Sequence, residues 1–145
     1  MPTTRSLKVM PLTADRFDDL VPLFNEGGDP KWCWCVYWRV RAKDFAGSAP
    51  SRNRERLREL AGHRDPPGLV AYAGDRLVGW VSLGPRGDFE RLEHSKVRPR
   101  LDDVPVWSIV CFVVSKHARG QGIARALLDA AIEHARQAGA PALEA

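Results

Sequence analysis

The residues whose types and spacing carry the most chemistry are Arg119-Gly120-Gln121-Gly122-Ile123-Ala124. Glycines at positions 120 and 122 have no Cβ, so a ligand can approach the main chain closely there. The residues that follow read as the start of a helix. The first N–H groups of a helix have no partner inside it and lie at the positive end of its dipole. A glycine turn feeding a helix therefore attracts a phosphate or pyrophosphate group. Lys116, His117, Arg119 and Arg125 add positive charge around it, and no acidic side chain occurs between Val104 and Leu128.

Two elements must position that turn. Before it, Val106 to Val114 is an almost unbroken apolar run rich in β-branched and aromatic residues, the pattern of a strand buried on both faces. After it, Ile123, Ala124, Leu127, Leu128, Ala131, Ile132 and Ala135 recur at helical spacing, opposite Asp129, Glu133, Arg136 and Gln137. Gly139 and Pro141 supply the helix stop.

At these residues the chain resembles the GNAT superfamily of N-acetyltransferases: Arg119 to Ala124 fits its R/Q-x-x-G-x-G/A signature, and the flanking strand and helix fit too. The resemblance is strongest from Val106 to Ala145 and weaker but consistent upstream. It implies an α+β fold, a mixed and mostly antiparallel sheet flanked by helices, in one domain over residues 1–145. It also implies acetyl-CoA as co-substrate and an amine acceptor, a small molecule or a peptide. The pyrophosphate of acetyl-CoA would lie on Arg119, Gly120, Gln121, Gly122, Ile123 and Ala124. Its pantetheine arm would pair with the strand backbone at Phe112, Val113 and Val114. Pro141 to Ala145 reads as the start of a fifth strand, where the family normally continues with more helix and strand, so the domain is expected to be C-terminally incomplete. The family's frequent tyrosine acid has no counterpart here. An unpaired strand edge also leads us to expect self-association, such as a homodimer.

The acid–base groups are not legible. No Glu or Asp lies in Val106 to Val114, which leaves Ser108 and Cys111. Strand alternation would put these on opposite faces, so at most one faces the cleft, and Cys111 reads as a small buried hydrophobe. Glu90, Glu93 and His94 precede the strand without being singled out. Catalytic residues are therefore unassigned, and two other readings stay open. One is a non-catalytic, CoA-binding or partner-completed module. The other is a dinucleotide-binding fold, with Glu144 on a ribose. Against the latter stand Arg125 at the third glycine position, the five residues between Val114 and Gly120, and a preceding hairpin. A phosphate-binding loop of the nucleotide-hydrolase type fails for want of Lys-Ser/Thr after the turn.

Composition bounds the rest. At 145 residues the chain is one domain's worth, with no apolar run of membrane-spanning length and no signal-peptide pattern in MPTTRSLKVM, so a cytoplasmic location is expected. A net charge of +4 suits an acidic ligand such as CoA without implying specific nucleic-acid binding. Three cysteines, an odd count, argue against a disulfide framework. Cys33 and Cys35, spaced C-x-C with no second pair, do not make a zinc site, and the four histidines lack ligand spacing. His117 reads as a neighbour of the phosphate turn and His134 as a helix-surface residue.

Upstream, Ser6 to Leu12 reads as an edge strand ended by Pro11, and Asp15 to Phe24 as a helix that Pro22 shortens, with Phe17, Leu20, Val21 and Phe24 inward. Lys31 to Val40, crowded with tryptophan, tyrosine and cysteine, reads as aromatic core, or as a wall offering cation–π contacts to an amine. Ala46 to Asn53 is a loop, and Arg54 to His63 a basic helix that offers a positive rim. Gly74-Asp75 joins two strands, Leu69 to Ala73 and Arg76 to Leu83, as a hairpin. Gly84 to Gly87 closes it. Asp88 to His94 is one or two helical turns, and Arg98 to Pro105 a loop.

Overall fold

The Gly74-Asp75 turn reverses the chain between β2 (Gly68–Ala73) and β3 (Arg76–Pro85), and the rest of the sheet is laid against this hairpin. The computed structural model describes residues 6–45 and 47–145; residues 1–5 of the N-terminal stretch and Ala46 at the start of the expected loop lie outside it. β1 (Leu7–Pro11) pairs antiparallel with β2, and β4 (Trp107–Val114) antiparallel with β3. β5 (Leu143–Glu144) pairs parallel with β4 at Trp107↔Leu143 and Ser108↔Glu144. The five strands thus lie in sequence order in one mixed, mostly antiparallel sheet. That order excludes the doubly wound parallel sheet of a dinucleotide-binding fold, and Glu144 sits in a strand beside Ser108 rather than at a ribose position.

Helices cover both faces. Between β1 and β2 come α1 (Phe17–Phe24), α2 (Pro30–Cys33), α3 (Ala42–Phe45) and α4 (Pro50–Ala61). They bury Phe17, Leu20, Phe24, Trp34, Val36 and Leu57 against Val70 and Trp80 on one face. On the other, α6 (Ile123–Gln137) packs Ile123, Leu127 and Ala131 onto Ala71, Val81 and Ile109. Gly79 permits that approach: a Cβ there would lie 2.7 Å from Ile123 Cγ2 and 3.0 Å from Leu127 Cδ1. A short α5 (Glu90–Glu93) follows a 3-10 turn at Arg86–Asp88.

Several expectations change. α4 begins at Pro50 rather than Arg54, because proline's fixed φ and missing N–H suit the first helical turn. α1 ends two residues past Pro22 as expected, but Leu23 rather than Val21 is the fully buried neighbour. Gly84 and Pro85 continue β3 instead of closing the hairpin. On α6, Ala124 and Ile132 face outward, and His134 is half-buried with its ring 5.7 Å from that of Trp107. The largest correction concerns β4, which is not buried on both faces: Phe112 is 40% exposed and Val110, Cys111, Val113 and Val114 are only partly covered. The reason is topological. β5 reaches only as far as Ser108, so beyond it no described strand covers that side of β4.

Candidate functional site

β4 delivers the chain to the glycine turn, and the turn is tied down at its entrance. Ser115 N–H donates to Val78 O at 2.8 Å, continuing the ladder one step past the strand. The Glu26 carboxylate, from the loop after α1, accepts the Lys116 N–H and the Ser115 hydroxyl, both at 2.9 Å. An acidic group thus enters a region whose own sequence has none. Nothing in the sequence signals it, since the contact spans ninety positions.

Past that anchor the turn is open. Gly120 and Gly122 have φ of +78° and +76°, the left-handed region that glycine enters at little cost, and a Cβ on either would meet nothing within 4 Å. Gly122 is the N-cap of α6, and only from Ala126, which donates to Gly122 O at 3.0 Å, does the helix satisfy its own donors. The N–H groups of Gly122, Ile123, Ala124 and Arg125 find no partner among the described residues. Lys116, His117, Arg119, Gln121 and Arg125 are exposed around them, while the Ile123 side chain is buried and offers only its main chain. The structure therefore brings Arg119 to Ala124 together as one exposed, donor-rich turn directly after Phe112, Val113 and Val114.

Alongside β4 lies a cavity of about 510 Å³, lined by Trp38, Arg86, Leu92, Arg98, Ser108 to Phe112 and Glu144 among others. A larger hollow of about 1200 Å³ lies at the other end of the strands, beside Trp107, His134 and Gly84, and includes none of residues 112–124. Arg56 of the expected positive rim, with Arg64 just past it, lines that hollow and not the turn. The smaller cavity is the one continuous with β4.

Within it, β4 bulges. Cys111 pairs with Ser82 but Ile109 pairs with Leu83, which leaves Val110 as an extra residue. The bulge changes the strand's parity. Ser108 and Cys111 oppose Gly84 and Ser82, two residues on the same face of β3, so both face the same way instead of opposite ways. Both line the cavity.

Ser108 donates to Glu144 at 2.7 Å, and Arg86, only 4% exposed, reaches the same Glu144 oxygen at 2.7 Å and Glu93 at 2.8 Å. Arg86 also donates to the carbonyls of Leu92 and Arg98. Arg100 pairs with Glu93 at 2.8 Å. Burial tends to raise the Glu144 carboxyl, but hydrogen bonds from Ser108 and Arg86 outweigh it and hold the group below the usual range. Arg100 first, and then Arg86, hold Glu93 low as well. Neither is tuned toward neutral pH. Glu90 is exposed, and His94 is exposed and bonded to Glu90 O, so neither turns toward the cavity. The Arg86 hub was hidden in the sequence inside what read as a plain turn.

The aromatic segment is partly core: Trp34 stacks on Phe17 and leans tilted against Phe24, while Trp32 and Tyr37 are exposed. Several of its cation–π faces are already taken, Arg91 lying 3.9 Å over Tyr37 and Arg98 5.6 Å over Trp38. Among the described residues no helix is long and apolar enough to cross a membrane, and no group of His, Cys, Asp and Glu is placed to hold a metal ion.

Comparison with known proteins agrees with this architecture. The family described as acetyltransferase (GNAT) family matches residues 32–145. No curated protein matches the chain. Among solved structures, an aminoglycoside N-acetyltransferase in complex with CoA superposes with a TM-score of 0.66 at 13% identity, over 99% of this chain and 78% of that one. A ribosomal-protein-alanine N-acetyltransferase from Brucella melitensis biovar Abortus gives 0.58 at 17% identity, over 96% and 78%. A GNAT family acetyltransferase from Staphylococcus aureus gives 0.59 at 15% identity, over 96% and 84%.

Proposed function

The chain belongs to the GNAT family of acetyltransferases, and on that premise we propose that it moves the acetyl group of acetyl-CoA onto an amine acceptor. The observation that carries the reading is the row of unpartnered N–H groups from Gly122 to Arg125, opening α6 directly beyond the open side of β4. Such a row suits a pyrophosphate, whose charge Lys116, Arg119 and Arg125 would offset. The pantetheine arm would run along the backbone of Phe112, Val113 and Val114. The thioester would then reach the bulge, where the extra residue Val110 leaves main-chain polar groups outside the ladder, able to polarise the thioester carbonyl.

The acceptor, a small molecule or peptide bearing an amine, would enter the cavity past Trp38, Leu92 and Arg98. Glu144 is the acidic side chain lining that cavity. Held ionised, it is a weak base but a good seat for an ammonium group, and the amine's proton would leave to solvent before attack. The departing thiolate would take its proton from water. The low, Arg-bound carboxylates also favour a second reading, a module that binds CoA without turnover. The open side of β4 leads us to propose that two copies associate; sedimentation that finds only monomer at high concentration contradicts this.

The test is calorimetric titration with acetyl-CoA, with NAD as control, followed by thiol release against a panel of amines. Micromolar binding of acetyl-CoA alone, with thiol release for at least one amine, is expected. Absence of acetyl-CoA binding sinks the proposal; binding with no release across the panel selects the second reading.

A further inference from the structure

All three cysteines of the chain meet at one place, although two lie in the aromatic segment and the third on β4. Cys35 Sγ donates to Cys111 Sγ at 3.1 Å, and Cys33 belongs to the same packed cluster. A disulfide needs its sulfurs at about 2.05 Å, so Cys35 and Cys111 would close by a shift of about 1 Å. The backbone is held unusually to achieve this. Trp34 and Cys35 are consecutive non-glycine residues in the left-handed region, with φ of +50° and +56°. Bulky side chains avoid that conformation, and it persists only where surrounding structure enforces it, most often at functional positions. Here the Trp34 ring is locked against Phe17 and Phe24, and the Cys35 side chain of the strained pair meets β4 at Cys111. Opposite Cys111 on β3, the Ser82 hydroxyl is buried and without a partner among the described residues, available to a thiolate at Cys111.

We propose that Cys33, Cys35 and Cys111 form a thiol relay in which a hydroperoxide oxidises Cys33 and the oxidation ends as a Cys35–Cys111 disulfide, cross-linking the aromatic segment to the strand of the cleft. This inference goes beyond acetyl transfer and does not depend on it. The entrance is Cys33, partly exposed as Cys111 is, whereas Cys35 is buried. Interaction with the neighbouring Cys35 thiol brings the Cys33 thiol down to about 7, against burial, so that a large share of it is thiolate at neutral pH. The thiolate attacks the hydroperoxide, the O–O bond breaks, and Cys33 becomes a sulfenic acid while the other oxygen leaves as alcohol or water after taking a proton. Cys35 then attacks the sulfenyl sulfur. A Cys33–Cys35 bond forms, and hydroxide leaves with the Cys35 proton as water. Cys111, whose own pKa is lowered by the hydrogen bond from Cys35, attacks the Cys35 sulfur and releases Cys33 as thiolate. Two thiols give up two electrons and two protons, the peroxide is reduced, and Cys33 is regenerated.

The relay places an oxidisable bond one residue before Phe112, so the position of the aromatic segment against the cleft follows the redox state. The test uses the full chain, reduced and then exposed to one equivalent of hydrogen peroxide. Free thiols are counted after denaturation, and the non-reduced digest is mapped by mass spectrometry. Thiols falling from three to one within the monomer, a peptide pair linking Cys35 to Cys111, and recovery of all three with dithiothreitol are expected. Cys33→Ser should still reach the same cross-link, about tenfold more slowly. Three thiols surviving, a bond ending at Cys33, or a link between chains overturns the proposal. A Cys33→Ser rate equal to that of the parent removes Cys33 from it. Should that variant not fold, the map of the parent protein decides.

Discussion

The two ends of β4 treat polar groups in opposite ways. At its start, Arg86 is buried and directs its donors to Glu93, Glu144 and two carbonyls, while Ser108 completes Glu144. At its finish, the N–H groups of Gly122 to Arg125 have no partner among the described residues, and the surrounding cations are exposed. Both ends are rich in charge, so composition does not distinguish them. Saturated groups hold the loop of residues 88–105 and β5 in place, and the Arg86 donors are spent there; both of those bonds to Glu144 fall on one carboxylate oxygen. Unsaturated groups, left in water at small cost, give a site its affinity.

Breaking the saturated end should have the largest effect. Arg86→Met leaves Glu93 and Glu144 without their shared cation and should lower unfolding free energy by about 3 kcal/mol, read by urea denaturation. A loss under about 1 kcal/mol would mean that the hub does not hold this end together. At the open end, Gly122→Val forces a β-branched residue to φ +76° with nothing nearby to clash with. It should cost about 1–2 kcal/mol of stability and more than about tenfold in acetyl-CoA affinity by calorimetry, about 1.4 kcal/mol. Unchanged affinity would show that the turn is not where the ligand sits. Glu26→Ala removes the two bonds that fix the turn's entrance and should weaken the same binding by about fivefold, close to 1 kcal/mol.

Acid should reveal the saturated end as well. Glu93 and Glu144 titrate below an unfolded glutamate's value of about 4.3. Their contribution is therefore complete above that pH and is lost as pH falls through their lower, folded values. The melting temperature should drop as the pH falls below about 4.3, and drop less in Arg86→Met. The smallest effect is chemical: alkylation of Cys33 should rise with pH through about 7, below an ordinary thiol, despite the opposing charge of Asp29.

Much of the open end was legible because its parts are contiguous. Strand, turn and helix follow one another from Trp107 to Gln137, and each has a local signature in periodicity or glycine placement. The hairpin was legible for the same reason. What stayed hidden depends on long-range pairing. Glu26 reaches the turn from another element, and Arg86 looks like any surface arginine until its four partners are in place. The bulge at Val110 also has no mark in an apolar run, yet it reverses the parity that simple alternation gives Ser108 and Cys111. The exposure of β4 has no sequence mark for the same reason: a continuous apolar strand fits a doubly covered position equally well as one whose outer side is left open.

The pairing of Leu7 with Ala73 has a consequence for how the chain reaches this shape. The first strand emerges earliest but finds its neighbour only after the whole helical segment between them has been made. The hairpin, β4 and α6 follow one another with connections shorter than the segment between β1 and β2, and can assemble among themselves. Contacts closing large loops form slowly, so β1 and the helices after it should dock last, onto a sheet already formed. The half of the protein that carries the glycine turn would then be the folding nucleus, and the half that carries Glu26, Cys33 and Cys35 the late arrival that finishes it.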